Sequence, residues 1–214
     1  MSSEHASDRD GLSRLPSDSG EIEKYYDDWA TDYDRTLAEW RYEAPTRAAE
    51  ILRERLGPDA VILDAGCGTG LTGKALADAG FTTFDGIDLS SRSLESAAEH
   101  GVYRALSQVN MQELPLPFED DAYDGLECIG VLTYLPDSAD LFREFCRIVR
   151  PGGVAVMTQR SDLYEERDFD AVLASIQADG LWEIIEITDA QPYLPENAEF
   201  GDRIMVHYIT CVVR

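Results

Sequence analysis

Between the apolar run Ala60-Val61-Ile62-Leu63 and a helical pattern that starts at Leu71 stand Asp64-Ala65-Gly66-Cys67-Gly68-Thr69-Gly70, residues suited to gripping a small ligand. Glycines let a backbone turn tightly and approach a ligand where a Cβ would collide. A helix beginning just beyond them offers unpaired N–H groups to a carboxylate. Asp64, ending a strand, can accept from an ammonium group. Donors for a carboxylate beside an acceptor for an amine suit an amino-acid moiety better than a pyrophosphate. The run Gly68-Thr69-Gly70-Leu71-Thr72-Gly73 also fits the GxGxxG dinucleotide pattern, so an NAD(P)-binding protein is a second reading. Its first glycine, however, stands four residues beyond Asp64 and not directly after the strand.

Two further features accompany the loop. Asp88, in Gly86-Ile87-Asp88-Leu89-Ser90, ends a second apolar run, where a carboxylate can accept two hydrogen bonds from a ribose diol. The alternative is an acid placed against a helix dipole, but Ser90 and Ser91 already serve as caps. Asn110-Met111 precedes Glu113-Leu114-Pro115; the amide can bond an adenine edge and the thioether offers the base a soft apolar face. An asparagine there is otherwise a turn residue.

The elements that must hold these residues follow from hydrophobic periodicity. Residues 1–20, rich in Ser, Asp and Gly, read as a disordered tail, and 21–214 as a single domain. Two helical patterns fill 21–56, the first carrying Tyr25, Tyr26, Trp29 and Tyr33 at three- and four-residue steps; they are expected to form a lid over the site. Strands are expected at Ala60–Asp64, Phe81–Asp88, Val102–Asn110, Tyr123–Ile129, Val154–Gln159, Trp182–Ile187 and Arg203–Val213. Helices are expected at Leu71–Ala79, Ser90–His100, Ser138–Val149 and Phe169–Asp179. This alternation predicts an α/β fold: a doubly wound seven-stranded sheet in a three-layer αβα sandwich, mostly parallel, with an antiparallel C-terminal edge strand. Such sheets bind ligands at the carboxyl ends of their strands, where Asp64, Asp88 and Asn110 fall.

Composition narrows the function classes. With 42 acidic against 18 basic residues the formal charge is −24, which opposes nucleic-acid substrates, since their binding depends on lysine and arginine displacing counterions. No apolar run is long enough to span a bilayer, so a cytoplasmic protein, monomeric or homodimeric, is expected. The four cysteines are widely spaced and the three histidines scattered, which predicts reduced thiols and no metal centre.

In order, the blocks Asp64-to-Gly70, Gly86-Ile87-Asp88-Leu89-Ser90, Leu114-Pro115-Leu116-Pro117-Phe118, Tyr123-Asp124-Gly125-Leu126 and Arg150-Pro151-Gly152-Gly153 resemble a class I S-adenosylmethionine-dependent methyltransferase. More narrowly, Gly101–Ser107 and Gly180–Glu183 are similar to the Williams–Beuren syndrome region methyltransferase-like group. The resemblance implies a Rossmann-like fold and S-adenosylmethionine as methyl donor. It implies that Asp64, Gly66, Cys67 and Gly68 hold the methionine end, Asp88 with Leu89 the ribose, and Asn110 and Met111 the adenine. Cys128 and Ile129 would line the cleft, and Tyr33, assisted by Tyr25, would reach over the cofactor. The broad family carries Asp where Asn110 stands.

Methyl transfer from a sulfonium is an in-line displacement governed by positioning; a base is needed only for a protonated nucleophile. Tyr134, after the fourth strand, is a weak candidate, as are His207 and Tyr193. The Asn/Asp-Pro-Pro-Tyr loop of enzymes resembling amide and adenine-amino methyltransferases is replaced here by Glu127-Cys128-Ile129-Gly130, which moves the expectation to a small-molecule acceptor. An aromatic lid with Trp40 and Tyr42 would suit an apolar or cationic one. The alternative function is a non-catalytic S-adenosylmethionine-binding protein or a partner subunit.

Overall fold

The computed structural model describes Gly20 and residues 40–197 and 203–214. The tail, Tyr25, Tyr33 and most of the expected lid lie outside the described residues.

Helix α1 (Ala44–Arg53) has Pro45 in its first turn, where a missing N–H costs nothing, and buries Ala48, Ala49, Ile51 and Leu52. Arg53 ends it by donating to the carbonyls of Leu56 and Ala79. The chain then alternates: β1 (Val61–Ala65), α2 (Leu71–Asp78), β2 (Thr83–Asp88), α3 (Ser91–Glu99), β3 (Ala105–Gln108), β4 (Tyr123–Cys128), α4 (Ser138–Ile148) and β5 (Val149–Arg160). Ser90 caps α3 by accepting from the Ser93 amide at 3.0 Å. After β5 come α5 (Ser161–Glu166), α6 (Phe169–Ala178), β6 (Trp182–Ile187), β7 (Gln191–Pro192) and β8 (Met205–Val213).

The sheet runs β3-β2-β1-β4-β5-β8-β6, with β7 also on β8. Strands β1 to β5 pair in parallel; β8 is antiparallel to β5, β6 and β7. Successive residues of β1 point to opposite faces, and both faces are covered: Ile62 packs among Leu52, Leu76 and Phe84, and Leu63 among Leu126, Phe142 and Leu173. These two cores are the seams of the three-layer sandwich.

The expected fold class holds, with differences of detail. Among the described residues there are eight strands because the two-residue β7 shares the outer edge of β8 with β6; Gln191-Pro192 is too short and proline-bearing to read as a strand. The antiparallel strand lies inside the sheet, with β6 as the edge. Strand β5 starts at Val149, and its register against β4 slips between Tyr123 and Gly125 where the chain bends through Pro151. Helix α5 and a single 3-10 turn, Leu132–Tyr134, carry too few residues to show a period.

Candidate functional site

A cleft opens at the carboxyl ends of β1 to β4, where strand order reverses between β1 and β4. Of the residues singled out from sequence, Gly66, Gly68, Asp88, Leu89, Asn110, Met111, Ile129 and Tyr134 line it. Ser90, Val109, Gln112, Gly130, Val131 and Leu135 complete the wall and were not anticipated; they flank the strand ends without a distinguishing side-chain type.

The loop after β1 serves the cleft by its shape. The amides of Gly66 and Cys67 both donate to the Ile87 carbonyl, at 2.8 and 2.9 Å, and Gly70 N donates to Cys67 O at 2.9 Å. Gly68 N donates to Asp88 Oδ2 at 2.8 Å. The donor set expected for a ligand carboxylate is thus spent within the protein at these four amides. Gly66 lies at φ +89°, and a Cβ there would come within 2.2 Å of Val131 Cγ2. Glycine is required by both conformation and proximity. On the far side, His100 Nε2 lies 3.1 Å from Thr69 O.

Asp88 is fixed by two backbone donors, Gly68 N on Oδ2 and Ser90 N at 2.9 Å on Oδ1, and borders the cleft. Asn110 Oδ1 accepts from Gln112 N at 3.0 Å and its Nδ2 donates to Glu113 Oε1 at 3.0 Å, so the amide forms an Asx turn as well as a wall. Met111 is buried against the first core and presents to the cleft.

Asp64, Cys67 and Cys128 are buried outside the cleft wall. Asp64 Oδ2 accepts from Thr72 Oγ1 at 2.5 Å and Tyr103 OH at 2.7 Å, tying the end of β1 to the first turn of α2 and the connection before β3. Burial pushes its carboxyl up to about 7, against the pull of those two donors. Burial likewise raises the Cys67 and Cys128 thiols, so neither is a ready nucleophile. Glu127, partnered with Asp64 across β1 and β4, is fully buried and held well above the ordinary carboxylate range by burial and the Asp64 charge. Sequence reading passed over Glu127, although an acid inside an apolar strand was the available signal.

The exit of β4 is built from distant side chains. Gly130 N donates to Thr158 Oγ1 at 2.9 Å. Tyr193 and Tyr42 meet edge-on, 5.0 Å between ring centroids, with hydroxyls 2.9 Å apart. A Cβ on Gly130 (φ +78°) would lie 2.5 Å from the Tyr193 hydroxyl, so this pair abuts the cleft from outside its wall. Trp40 O accepts from Glu196 N at 3.3 Å, joining the same two segments. Arg167, missed from sequence, donates to the carbonyls of Leu132 and Thr133, both at 2.9 Å, and clamps the turn that carries Tyr134. His207 is elsewhere: its Nδ1 lies 2.8 Å from Thr188 O and its ring is 4.6 Å from that of Tyr164.

A family model described as a methyltransferase domain matches residues 63–157. The human methyltransferase-like protein 27 is 34% identical over 165 residues, which cover 74% of this chain and 67% of that protein. A ubiquinone biosynthesis O-methyltransferase of Bordetella avium is 36% identical over 98 residues, 43% of this chain and 39% of its own length. Among solved structures, geranyl diphosphate C-methyltransferase from Streptomyces coelicolor A3(2), in complex with Mg2+, geranyl diphosphate and S-adenosyl-L-homocysteine, shares the fold. It covers 93% of this chain and 99% of that chain, with a TM-score of 0.68 and 17% identity. Among the described residues, no helix is long and apolar enough to cross a membrane.

Proposed function

The chain belongs to the class I S-adenosylmethionine-dependent methyltransferases, and from that premise we propose that it methylates a small molecule held at the exit of β4. The observation that carries this reading is Asp88, pinned by the Gly68 and Ser90 amides on the rim of a cleft at the sheet's switch point. At Gly68 an added Cβ would meet nothing within 4 Å, which leaves that backbone open to close approach of the cofactor.

In this reading Asp88 accepts from the ribose hydroxyls, with Leu89 beside it, and Asn110 and Met111 bound the adenine. Gly66 and Gly68 shape the bed of the methionine end, and buried Asp64 acts on it from below by charge and by bracing the loop through Thr72 and Tyr103. The bound cofactor supplies an electrophilic methyl group on a sulfonium. The protein's own task is orientation: Tyr134, Gly130 and Val131 border the space at the β4 exit and would hold the acceptor in line. Tyr134 would be the nearest hydroxyl for a protonated acceptor. His207, held against Thr188 and Tyr164, has no part in this arrangement. The −24 charge favours a neutral or cationic acceptor over a nucleic acid.

Calorimetry with S-adenosylhomocysteine and with NAD tests the cleft: the first is expected to bind and the second not. NAD binding alone would overturn the reading. A metabolite extract incubated with methyl-labelled S-adenosylmethionine is expected to yield one labelled small molecule. Cofactor binding with no labelled product would favour the non-catalytic binding protein instead.

A further inference from the structure

Asp64 and Glu127 hold partnered positions at the carboxyl ends of β1 and β4. Partnered residues on neighbouring parallel strands project to the same face, with backbones about 4.8 Å apart. Both side chains are fully buried. Asp64 Oδ2 is taken by Thr72 and Tyr103, but Asp64 Oδ1 and both carboxyl oxygens of Glu127 lack a hydrogen-bond partner among the described residues. Three orphaned acceptors on two adjacent buried acids is a costly arrangement if both are ionised. Like charges this close do not both ionise; one proton is retained between them.

Among the described residues, the groups around the pair supply no compensating cation. From β2 the Asp88 charge acts on Asp64; from the loop and the α3–β3 connection come the neutral Cys67 and Tyr103; from α2 comes Thr72; Val156 of β5 is apolar. Thr72 and Tyr103 both donate to Asp64, and such bonds favour its charged form. Glu127 receives none. The proton therefore belongs on Glu127, and the acceptor that lacks a donor is Asp64 Oδ1.

We propose that Glu127 is a positioning residue of the cofactor loop: it stays a neutral carboxylic acid and donates its proton to Oδ1 of Asp64, so that the pair carries one negative charge beneath the loop. The bond completes the bracing of Asp64, which already joins β1 to α2 and to Tyr103, and gives the loop a floor of single fixed charge. The role toward the cofactor rests on the reading of the cleft given above; the shared proton does not.

The folded chain keeps a proton at Glu127 that the unfolded chain loses in the ordinary carboxylate range. The folded state then binds more protons near neutrality, so stability falls as pH rises. Glu127→Gln has no proton to lose and an amide N–H to give to Asp64. Its melting temperature relative to the wild type is expected to rise by about 10 °C between about pH 5.5 and pH 8.5. Glu127→Leu, which lacks a donor, is expected to melt below Glu127→Gln throughout. Parallel pH profiles for Gln and wild type, or a Leu variant as stable as Gln, would overturn the proposal. Should the variants fail to fold, the infrared spectrum of the wild type decides: a protonated-carboxyl band at about pH 8 is expected, and its absence refutes the shared proton. These readouts contain no cofactor, so they are separable from the calorimetry that tests the cleft.

Discussion

Along β1 and β2 the cleft wall is mostly backbone: amides of Gly66, Cys67 and Gly68 bond to Ile87 and Asp88, and the fit of Gly66 against Val131 leaves no room for a side chain. Along the exit of β4 the wall is backed by side chains brought from far away, with Tyr42, Tyr193 and Arg167 converging on Gly130 and the turn before α4. The hydrogen bonds of the first region close within about 25 residues of chain, and only the Val131 contact reaches farther. The second closes over separations of 151 residues for the two tyrosines and 34 to 35 for the arginine. A donor common to many enzymes calls for the first kind of construction, and an acceptor peculiar to one calls for the second.

This contrast can be broken experimentally. Gly66→Ala meets both a left-handed φ and Val131 Cγ2, and should cost about 2–3 kcal/mol, roughly a hundredfold in S-adenosylhomocysteine affinity by calorimetry. Asp88→Ala removes the diol acceptor and leaves the Gly68 and Ser90 amides unpaired, which should weaken S-adenosylhomocysteine about thirtyfold. Adenosine should weaken to the same degree, since it keeps the ribose; unaltered adenosine binding would remove Asp88 from that role. Arg167→Ala frees two carbonyls of the Tyr134 turn at about 1–2 kcal/mol. Its turnover on the acceptor found in the extract should fall about tenfold, with S-adenosylhomocysteine affinity changed by less than about threefold. Tyr193→Phe loses one hydroxyl contact with Tyr42, about 1 kcal/mol, and should raise the acceptor KM a few fold while sparing the cofactor. If Arg167 or Tyr193 variants instead lost cofactor and acceptor together, the two regions would be one.

The same contrast explains what could be read in advance. The placing of the β1 and β2 ends at the cleft was legible because it is carried by residue type at fixed local spacing: glycines after Asp64, and an acid closing an apolar run at Asp88. The parallel α/β class followed from alternating elements, although not the seat of β8 inside the sheet. Glu127 escaped because nothing beside it in the chain signals its neighbour; only the register of β4 against β1 brings it to Asp64. Tyr193, taken up for its chemistry, is joined to Tyr42 by the pairing of β7 with β8, and two residues give no period to read. His207 was misjudged for a related reason. Its place in β8 was foreseen, but its orientation toward Thr188 depends on the β6–β8 ladder, which sequence does not fix.

The inserted strand β8 has a consequence for the birth of the molecule. In the sheet β6 has β8 as its neighbour and no other among the described strands, although β6 precedes β8 in the chain. As the polypeptide leaves the ribosome, the strands from β1 to β5 can zip together in parallel, but β6 must wait, unladdered, until β8 arrives to fill the seat beside β5. The half of the sheet formed by β1 to β5 can therefore assemble during synthesis, while the other half is sealed only when β8 follows β6.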